Sequence, residues 1–374
     1  MHIVKNTERA VVAAVHPQGA DGEADLAELR ELVATAGAEI VAEVTQERAQ
    51  PHPVTFLGKG KLDELLGVVK EEDADLVIVD ADLSPTQMRN IGEVVKVRVV
   101  DRTQLILDIF AQRAHTKEGN LQVELAQLQY LLPRITSVYT RFERQAGGII
   151  GMRGPGETKL EQDRSRIRRN IRHLQEELDE VRQRRAIQRG ARERMQFATA
   201  ALVGYTSAGK STLLNALSGS EVFVDPKLFA TLDPTTRRIE LPNGRPILLT
   251  DTVGFIRKLP THLVAAFRAT LEEMGEAELL LHVVDASHPR MREQIEAVFM
   301  VLEDLGVAGK PMVTVLNKSD RVKDTYRLRD IVARERDTIY ISALTGDGLL
   351  QLRQKIQQVL EREERRALVT ADNS

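Results

Sequence analysis

The octet Gly204-Tyr205-Thr206-Ser207-Ala208-Gly209-Lys210-Ser211 constrains the fold of this chain more than any other feature of the sequence. It fits the pattern GxxxxGKS, a glycine-rich loop whose backbone N–H groups wrap around phosphate groups. The apolar run from Phe197 to Val203 predicts a buried strand before the loop, and the apolar spacing from Ser211 to Leu217 predicts a helix after it. The octet therefore predicts the strand–loop–helix unit of an open α/β sheet, with a phosphate site at the loop.

A second motif, Asp251-Thr252-Val253-Gly254, follows the strand-like run from Ile247 to Thr250. The Asp251 carboxylate can hold a water of a Mg²⁺ shell, while the Gly254 N–H faces the terminal phosphate. Within the octet, Lys210 is expected to reach the outer phosphates and the Ser211 hydroxyl to bind Mg²⁺. The two motifs together predict a site that senses a γ-phosphate.

Two later motifs predict the base pocket. Asn317-Lys318-Ser319-Asp320 and Ser342-Ala343-Leu344 each follow a strand-like run, so both are expected at the carboxyl edge of the same sheet. A buried Asp320 carboxylate can accept hydrogen bonds from the N1–H and exocyclic amine of guanine, whereas adenine offers no such donor pair. The backbone amides of Ser342-Ala343-Leu344 would complete the pocket, so the predicted cofactors are GTP or GDP with Mg²⁺.

The segment Phe229-Ala230-Thr231-Leu232-Asp233 lies among turn-forming residues between the first two motifs. Thr231 could give Mg²⁺ a second hydroxyl when a triphosphate is bound, and Thr235 and Thr236 are the alternatives. The candidate catalytic residues are therefore Lys210, Thr231 and Gly254, and the candidate metal ligands are Ser211 and Thr231.

The residue directly after Gly254 is Phe255. Ras-like enzymes carry at this place the glutamine that orients the attacking water. Phenylalanine cannot make that contact, so we predict slow intrinsic hydrolysis of GTP.

Length and composition limit the number of domains and exclude several kinds of site. A length of 374 residues predicts two or three domains, and the absence of cysteine excludes disulfides and thiolate metal sites. No apolar run reaches the ~18 residues of a membrane helix, and no signal-peptide pattern is visible. We therefore expect a cytoplasmic, monomeric protein without stable membrane insertion, and peripheral membrane association stays open.

The fold class predicted along the chain is α/β: a P-loop GTPase domain preceded by a small parallel α/β domain and a long helical hairpin. The expected parts are an N-terminal α/β domain (1–102), a helical hairpin linker (103–196), a GTP-binding domain (197–362) and a charged tail (363–374) that frays. A single helical pattern runs from Thr103 to Leu132, with Gly119 as its expected interruption. The hairpin carries a glycine-rich loop at 147–156, followed by an arginine-rich helix that suits either a solvated surface or phosphate-backbone contact.

The chain resembles the HflX family of GTPases over nearly its whole length. The resemblance rests on Gly-Gly-Ile-Ile-Gly-Met-Arg-Gly-Pro-Gly-Glu-Thr-Lys-Leu-Glu (147–161), Phe-Ala-Thr-Leu-Asp-Pro-Thr-Thr-Arg (229–237) and Asp-Thr-Val-Gly-Phe-Ile (251–256). It implies that Thr231 is the switch-one magnesium ligand and that Phe255 marks a hydrophobic-substituted GTPase. It also implies that the partner is the large ribosomal subunit, including its ribosomal RNA, and that stalled ribosomes are split.

The chain departs from this resemblance at Ser207. Related switches often have Asn there, which helps to hold a potassium ion near the phosphates. Ser207 supplies only a hydroxyl, so we predict little stimulation by potassium.

Two other functions remain open at the level of sequence. A GTPase domain could gate chemistry on RNA in the N-terminal domain, although the first hundred residues show no convincing nucleophile or cofactor motif. Alternatively, the chain could be a regulatory interaction protein that contacts a protease or a membrane complex.

Overall fold

The computed structural model describes residues 7–19, 22–135, 155–193, 197–219, 227–258, 260, 263, 273–322 and 337–372. Contacts between residues group the chain into two compact units. The first contains Met1–Gln112 and Asn120–Asp179, and the second contains Arg113–Gly119 and Glu180–Ser374. The predicted glycine-rich loop lies outside the described residues up to residue 154, and Pro155 begins the next described helix.

The first unit contains a four-stranded, fully parallel sheet of order β2-β1-β3-β4. Its strands are β1 (Arg9–His16), β2 (Glu39–Glu47), β3 (Leu76–Val79) and β4 (Arg98–Asp101). Three helices alternate with them: α1 (Gly22–Ala36), α2 (Lys59–Glu71) and α3 (Pro85–Val95). All four residues of β3 are buried, as expected for a parallel strand covered on both faces. The predicted small parallel α/β domain is confirmed.

Local capping explains where α3 begins. The Gln87 N–H donates to Ser84 Oγ at 3.2 Å, and the Ser84 N–H donates to Gln87 Oε1 at 3.0 Å. Pro85 fills the first helical position, where a missing N–H costs nothing. Ser84 is therefore the cap of α3.

Three further helices follow: α4 (Arg102–Arg113), α5 (Lys117–Leu131) and α6 (Pro155–Glu193). The prediction of one helical run from 103 to 132 interrupted at Gly119 is wrong. The break lies at residues 114–116, and Gly119 is inside the first turn of α5, where its N–H donates to Thr116 Oγ1 at 3.0 Å. Thr116 is therefore the residue that caps α5.

The second unit contains a six-stranded sheet of order β10-β9-β8-β5-β7-β6, in which only the β6–β7 pair is antiparallel. The strands are β5 (Ala198–Gly204), β6 (Thr235–Glu240), β7 (Pro246–Asp251), β8 (Leu279–Asp285), β9 (Met312–Asn317) and β10 (Thr338–Tyr340). The helices are α7 (Lys210–Ser218), α8 (Met291–Asp304), a 3-10 turn (Ser319–Arg321) and α9 (Leu349–Asp372). The strand–loop–helix predicted around the octet is confirmed as β5, the loop and α7.

The charged tail predicted from residue 363 is helical and continues α9 to Asp372. Its charges are paired: Arg366 Nη1 lies 2.9 Å from Glu363 Oε1, and Arg245 Nη1 lies 2.5 Å from Glu364 Oε1. These pairs stabilise the helical form of the described residues, and fraying of the tail stays a prediction. Among the described residues, no helix is long and apolar enough to cross a membrane.

Candidate nucleotide-binding site

The loop between β5 and α7 approaches its neighbours closely at two glycines. Gly209 has φ 95°, and a Cβ there would lie 2.3 Å from Asn317 Nδ2. A Cβ at Gly254 would lie 2.8 Å from the Thr206 Cα and 3.0 Å from Lys210 Nζ. Both positions require glycine, because any side chain would enter the space between the loop and its partners.

Lys210 is the first residue of α7, so its side chain lies beside the positive end of a helix. Its Nζ donates to the carbonyl oxygens of Gly204 at 3.2 Å and Tyr205 at 3.0 Å. Burial lowers the pKa of Lys210 to about 8, and the carboxylate of Asp251 partly opposes this shift. An anionic phosphate would favour the protonated form, so the residue is suited to bind the outer phosphates.

Three oxygen atoms meet beside the loop. Ser211 Oγ and Thr231 Oγ1 are 2.9 Å apart, and they lie 2.7 and 2.9 Å from Asp251 Oδ2. Adjacent ligands of an octahedral Mg²⁺ at its usual bond length are also separated by about 2.9 Å. The two hydroxyls share a hydrogen bond in this structure, and the same spacing suits two adjacent magnesium ligands. The structure therefore brings Thr231 to the place predicted for it. The alternative Thr236 instead shares a hydrogen bond with Thr250 at 2.9 Å.

Asp251 contacts both hydroxyls and is placed to bind a water of the metal shell rather than the metal itself. It is 1% exposed, and its Oδ1 has no hydrogen-bond partner among the described residues. Burial raises the pKa of Asp251, while Lys210 and the hydroxyls of Ser211 and Thr231 lower it. A buried carboxylate oxygen without a donor fits a water of a Mg²⁺ shell, because such an atom is costly unless something donates to it.

The predicted switch segment divides into two parts. A cavity lies beside the loop between β5 and α7. Phe229, Ala230 and Thr231 line this cavity together with residues of the loop, whereas Leu232 is buried and 3% exposed. The Asp233 carboxylate accepts hydrogen bonds from the backbone N–H groups of His115 at 2.9 Å and Thr116 at 3.0 Å. Asp233 therefore holds the two residues that directly precede α5.

Asn317 joins the two sides of the site. Its Nδ2 donates to the Ala208 carbonyl at 2.8 Å, and its Oδ1 accepts from the Ala343 N–H at 3.0 Å. Lys318 Nζ pairs with Asp285 Oδ2 at 2.6 Å, and the Ser319 N–H donates to the Ile341 carbonyl at 3.0 Å. These contacts hold the phosphate loop, the Asn317–Asp320 motif and the Ser342–Leu344 motif against one another.

The proposed base-reading residue Asp320 is exposed in this structure rather than buried. Lys318 and Leu344 line the same cavity, and Leu344 is 74% exposed, which leaves apolar surface for a base to cover. For Asp320 to read a base, a bound nucleotide would have to supply this burial. The buried Ser342 accepts a hydrogen bond from the Thr345 N–H at 3.2 Å, so it shapes the loop that presents Ala343 and Leu344.

Of the remaining predicted residues, Thr206, Ser207, Gly209 and Thr252 line the cavity, whereas Gly204, Tyr205, Ala208 and Val253 do not. Ser207 has φ 58°, a left-handed conformation that Asn adopts more readily than Ser. The weak stimulation of GTP hydrolysis by potassium that Ser207 implies stays a prediction. Three cavity-lining residues were missed by the sequence reasoning: Thr212, Lys227 and Arg321. Thr212 and Arg321 each directly follow a predicted motif, which is the signal that could have found them.

The sheet order, the loop between β5 and α7 and the paired hydroxyls define a P-loop GTPase, which binds and hydrolyses GTP. Family models match along the chain: "GTP-binding GTPase N-terminal" over residues 23–111, "GTP-binding GTPase Middle Region" over 113–192 and "50S ribosome-binding GTPase" over 199–318.

Relatives define the family more narrowly. The chain is 50% identical over 363 residues to GTPase HflX of Caldanaerobacter subterraneus subsp. tengcongensis, with 96% of this chain and 82% of the relative covered. It is 47% identical over 358 residues to GTPase HflX of Escherichia coli, with 95% and 84% covered. The crystal structure of the SsGBP and GDP complex matches with a TM-score of 0.53 and 28% identity, covering 95% of this chain and 99% of the other. The chain belongs to the HflX family of GTPases.

Proposed function

We propose that this chain is a GTP-dependent switch that binds the large ribosomal subunit, ribosomal RNA included, and thereby splits or rescues stalled ribosomes. Two kinds of observation support the proposal: the family to which the chain belongs, and a row of arginines on α6. The arginines are the observation that favours a partner containing RNA.

The row consists of Arg166, Arg168, Arg169 and Arg172, all exposed. Within the described part of the chain, none of them forms an ion pair with an acidic side chain. A solvated helix usually pairs its charges at a spacing of three or four residues, so unpaired arginines on neighbouring turns favour phosphate contact. This observation favours RNA over the alternative of a purely protein partner.

The switch itself would act through Thr231. With GTP bound, Thr231 and Ser211 would hold Mg²⁺, which neutralises charge on the phosphates. Lys210 would bind the outer phosphates, and the Gly254 N–H would donate to the γ-phosphate. Loss of the γ-phosphate would release Thr231 and Gly254, so the segments that carry them would differ between the two nucleotide states.

The test is cosedimentation with large ribosomal subunits in the presence of a nonhydrolysable GTP analogue or GDP. We expect stronger binding with the analogue, and affinity that falls as salt increases. The double variant Arg168→Gln/Arg172→Gln should weaken binding and reduce the slope of log affinity against log salt by about one to two. The matched control is Arg365→Gln/Arg366→Gln on α9, whose side chains are 80% and 67% exposed.

Equal cosedimentation with the analogue and GDP would contradict the proposed switch. Equal loss of binding in the two double variants would show that total charge, rather than the row on α6, governs the interaction. Splitting is measured separately, as the fraction of 70S particles converted to subunits by the protein with GTP.

A further inference from the structure

The water that attacks the γ-phosphate of GTP must be held in line with the bond that breaks. Phe255 cannot hold it, since its side chain is 1% exposed and has no polar atom. The nearest group of this segment that faces the cavity is the backbone of Gly254, which lines it together with Thr206 and Lys210. The position of the backbone from Gly254 onward therefore has to be fixed by something other than a glutamine.

A series of hydrogen bonds attaches this backbone to β5 and the phosphate loop. Thr252 Oγ1 donates to the Leu202 carbonyl at 2.6 Å. The Phe255 N–H donates to the Gly204 carbonyl at 3.1 Å, and the Thr206 N–H donates to the Phe255 carbonyl at 2.8 Å. These bonds form an isolated parallel bridge between Tyr205 and Phe255.

The last bond of the series is made by a side chain. The Arg257 N–H donates to the Tyr205 hydroxyl at 2.7 Å. Tyr205 is 5% exposed, so its ring is held by packing and its hydroxyl has a fixed place. Arg257 is two residues beyond Phe255, where the backbone bridge has ended, so the hydroxyl extends the attachment past the bridge.

We propose that Tyr205 is a positioning residue for GTP hydrolysis: its hydroxyl holds the backbone at Arg257, and thereby keeps Gly254 against the phosphate loop. The side chain does not touch the reacting atoms. It acts through the backbone of residues 254–257, which takes over the orienting work that glutamine performs in Ras-like enzymes. This role of Tyr205 applies to hydrolysis by the free protein and does not require the ribosome.

Tyr205→Phe tests this directly, because it removes one oxygen and keeps the ring. We expect single-turnover hydrolysis of bound GTP to slow about two- to tenfold, the effect of one ordinary hydrogen bond. The KM for GTP and the Kd for GDP should stay within about twofold, since the phosphate loop keeps its other contacts. A purely structural role would instead change nucleotide affinity and melting temperature together with the rate.

A second measurement reports on the bond itself. Hydrogen exchange of the Arg257 amide should be slow in the original protein and faster in Tyr205→Phe, while the Phe255 amide stays protected by the Gly204 carbonyl. The matched control is Tyr340→Phe, the same chemical change on β10, where the side chain is 37% exposed and outside the cavity. It should leave the rate and both amides unchanged.

Three results would overturn the proposal. The first is an unchanged hydrolysis rate in Tyr205→Phe, and the second is a loss of GDP affinity as large as the loss of rate. The third is an unprotected Arg257 amide in the original protein, a measurement that needs no variant.

Discussion

Thr231 is the candidate for both the switch residue and a magnesium ligand, because its hydroxyl lies 2.9 Å from both Ser211 Oγ and Asp251 Oδ2. We expect Thr231→Ala to remove one candidate magnesium ligand that is needed only with a triphosphate. GTP affinity at limiting Mg²⁺ should fall, and hydrolysis should slow, while GDP affinity changes little. Titrations with GTP and GDP over a range of Mg²⁺ concentrations measure the difference.

Thr236→Ala is the matched control for Thr231→Ala, since it removes a threonine hydroxyl from the same stretch of chain. Its hydroxyl bonds to Thr250 on the neighbouring strand, so it should change neither magnesium dependence nor discrimination between GTP and GDP. If the two variants behaved alike, the assignment of Thr231 would be lost.

We expect nucleotide binding to depend on pH through Lys210. Burial lowers the pKa of Lys210 to about 8, and bound phosphates would raise it again. Because the bound state holds the proton more tightly, affinity should be constant well below pH 8 and fall above it, by about tenfold per pH unit at most. Fluorescence titration with labelled GDP at pH 7, 8 and 9 measures this. Lys210→Arg should bind with a flat profile, whatever its absolute affinity, because guanidinium stays protonated.

Asp320 is exposed in this structure, so a bound guanine would supply its burial and its hydrogen-bond donors. Asp320→Asn should weaken GTP binding by about 1–3 kcal/mol, the cost of one lost polar match, and improve binding of xanthine nucleotide. Competition between GTP, XTP and ATP measures the preference. Equal binding of ATP and GTP by the original protein would remove Asp320 from the base pocket.

At the scale of elements, the start of α5 depends on a residue far away in the chain. Asp233 accepts hydrogen bonds from His115 and Thr116, and a Cβ at Gly119 would lie 2.4 Å from Asp233 Oδ1. Gly119→Ala should therefore force the carboxylate away and lower the free energy of unfolding, by on the order of 1 kcal/mol. Thermal and urea denaturation measure the change.

Gly67→Ala is the control for Gly119→Ala, because the two substitutions should change the free energy of unfolding in opposite directions. Gly67 lies inside α2, and a Cβ there would meet nothing within 4 Å. Alanine should stabilise this helix by about 0.5–1 kcal/mol, because glycine loses more backbone entropy in a helix. Stabilisation by both substitutions would show that Asp233 does not crowd Gly119.

Local patterns made most elements predictable. Apolar runs located β5 and β7, and the apolar spacing after the octet located α7, because each signal depends on residues close in sequence. The start of α5 was missed although Thr116 is a local cap, and the second contact that fixes this start comes from Asp233, 117 residues from Thr116. The helical C-terminal segment was missed because part of its stabilisation comes from Arg245, 119 residues before Glu364. Contacts of this kind leave no periodic pattern in a single sequence.

In the candidate site, too, some residues could be predicted from local motifs and others could not. Lys210, Ser211 and Gly254 follow from motif spacing, because a phosphate site needs those groups at those places. The structural role of Asn317, which bonds to both Ala208 and Ala343, could not be predicted, because it depends on how three loops pack together. Lys227 lines the cavity without belonging to any motif.

At the scale of the whole second unit, we expect the free energy of unfolding to depend on pH through His282. It lies in the middle of β8, 1% exposed, and its Nδ1 has no hydrogen-bond partner among the described residues. Burial, and secondarily the charge of Lys210, lower the pKa of His282 to about 4. The folded state therefore keeps His282 neutral at pH values where an unfolded histidine, with an ordinary pKa of about 6.5, takes up a proton.

Because the folded pKa lies below the unfolded one, this contribution to stability is complete above about pH 6.5 and declines as the pH falls towards 4. The total loss is about 3 kcal/mol at about 1.4 kcal/mol per pKa unit. Urea denaturation at pH 7.5, 6 and 5 measures it, and His282→Leu should flatten this part of the profile whatever its absolute stability. His173→Gln, on the exposed surface of α6, should keep the original slope. If His282→Leu lost as much stability between pH 7.5 and 5 as the original protein, acid sensitivity would have to arise at other groups.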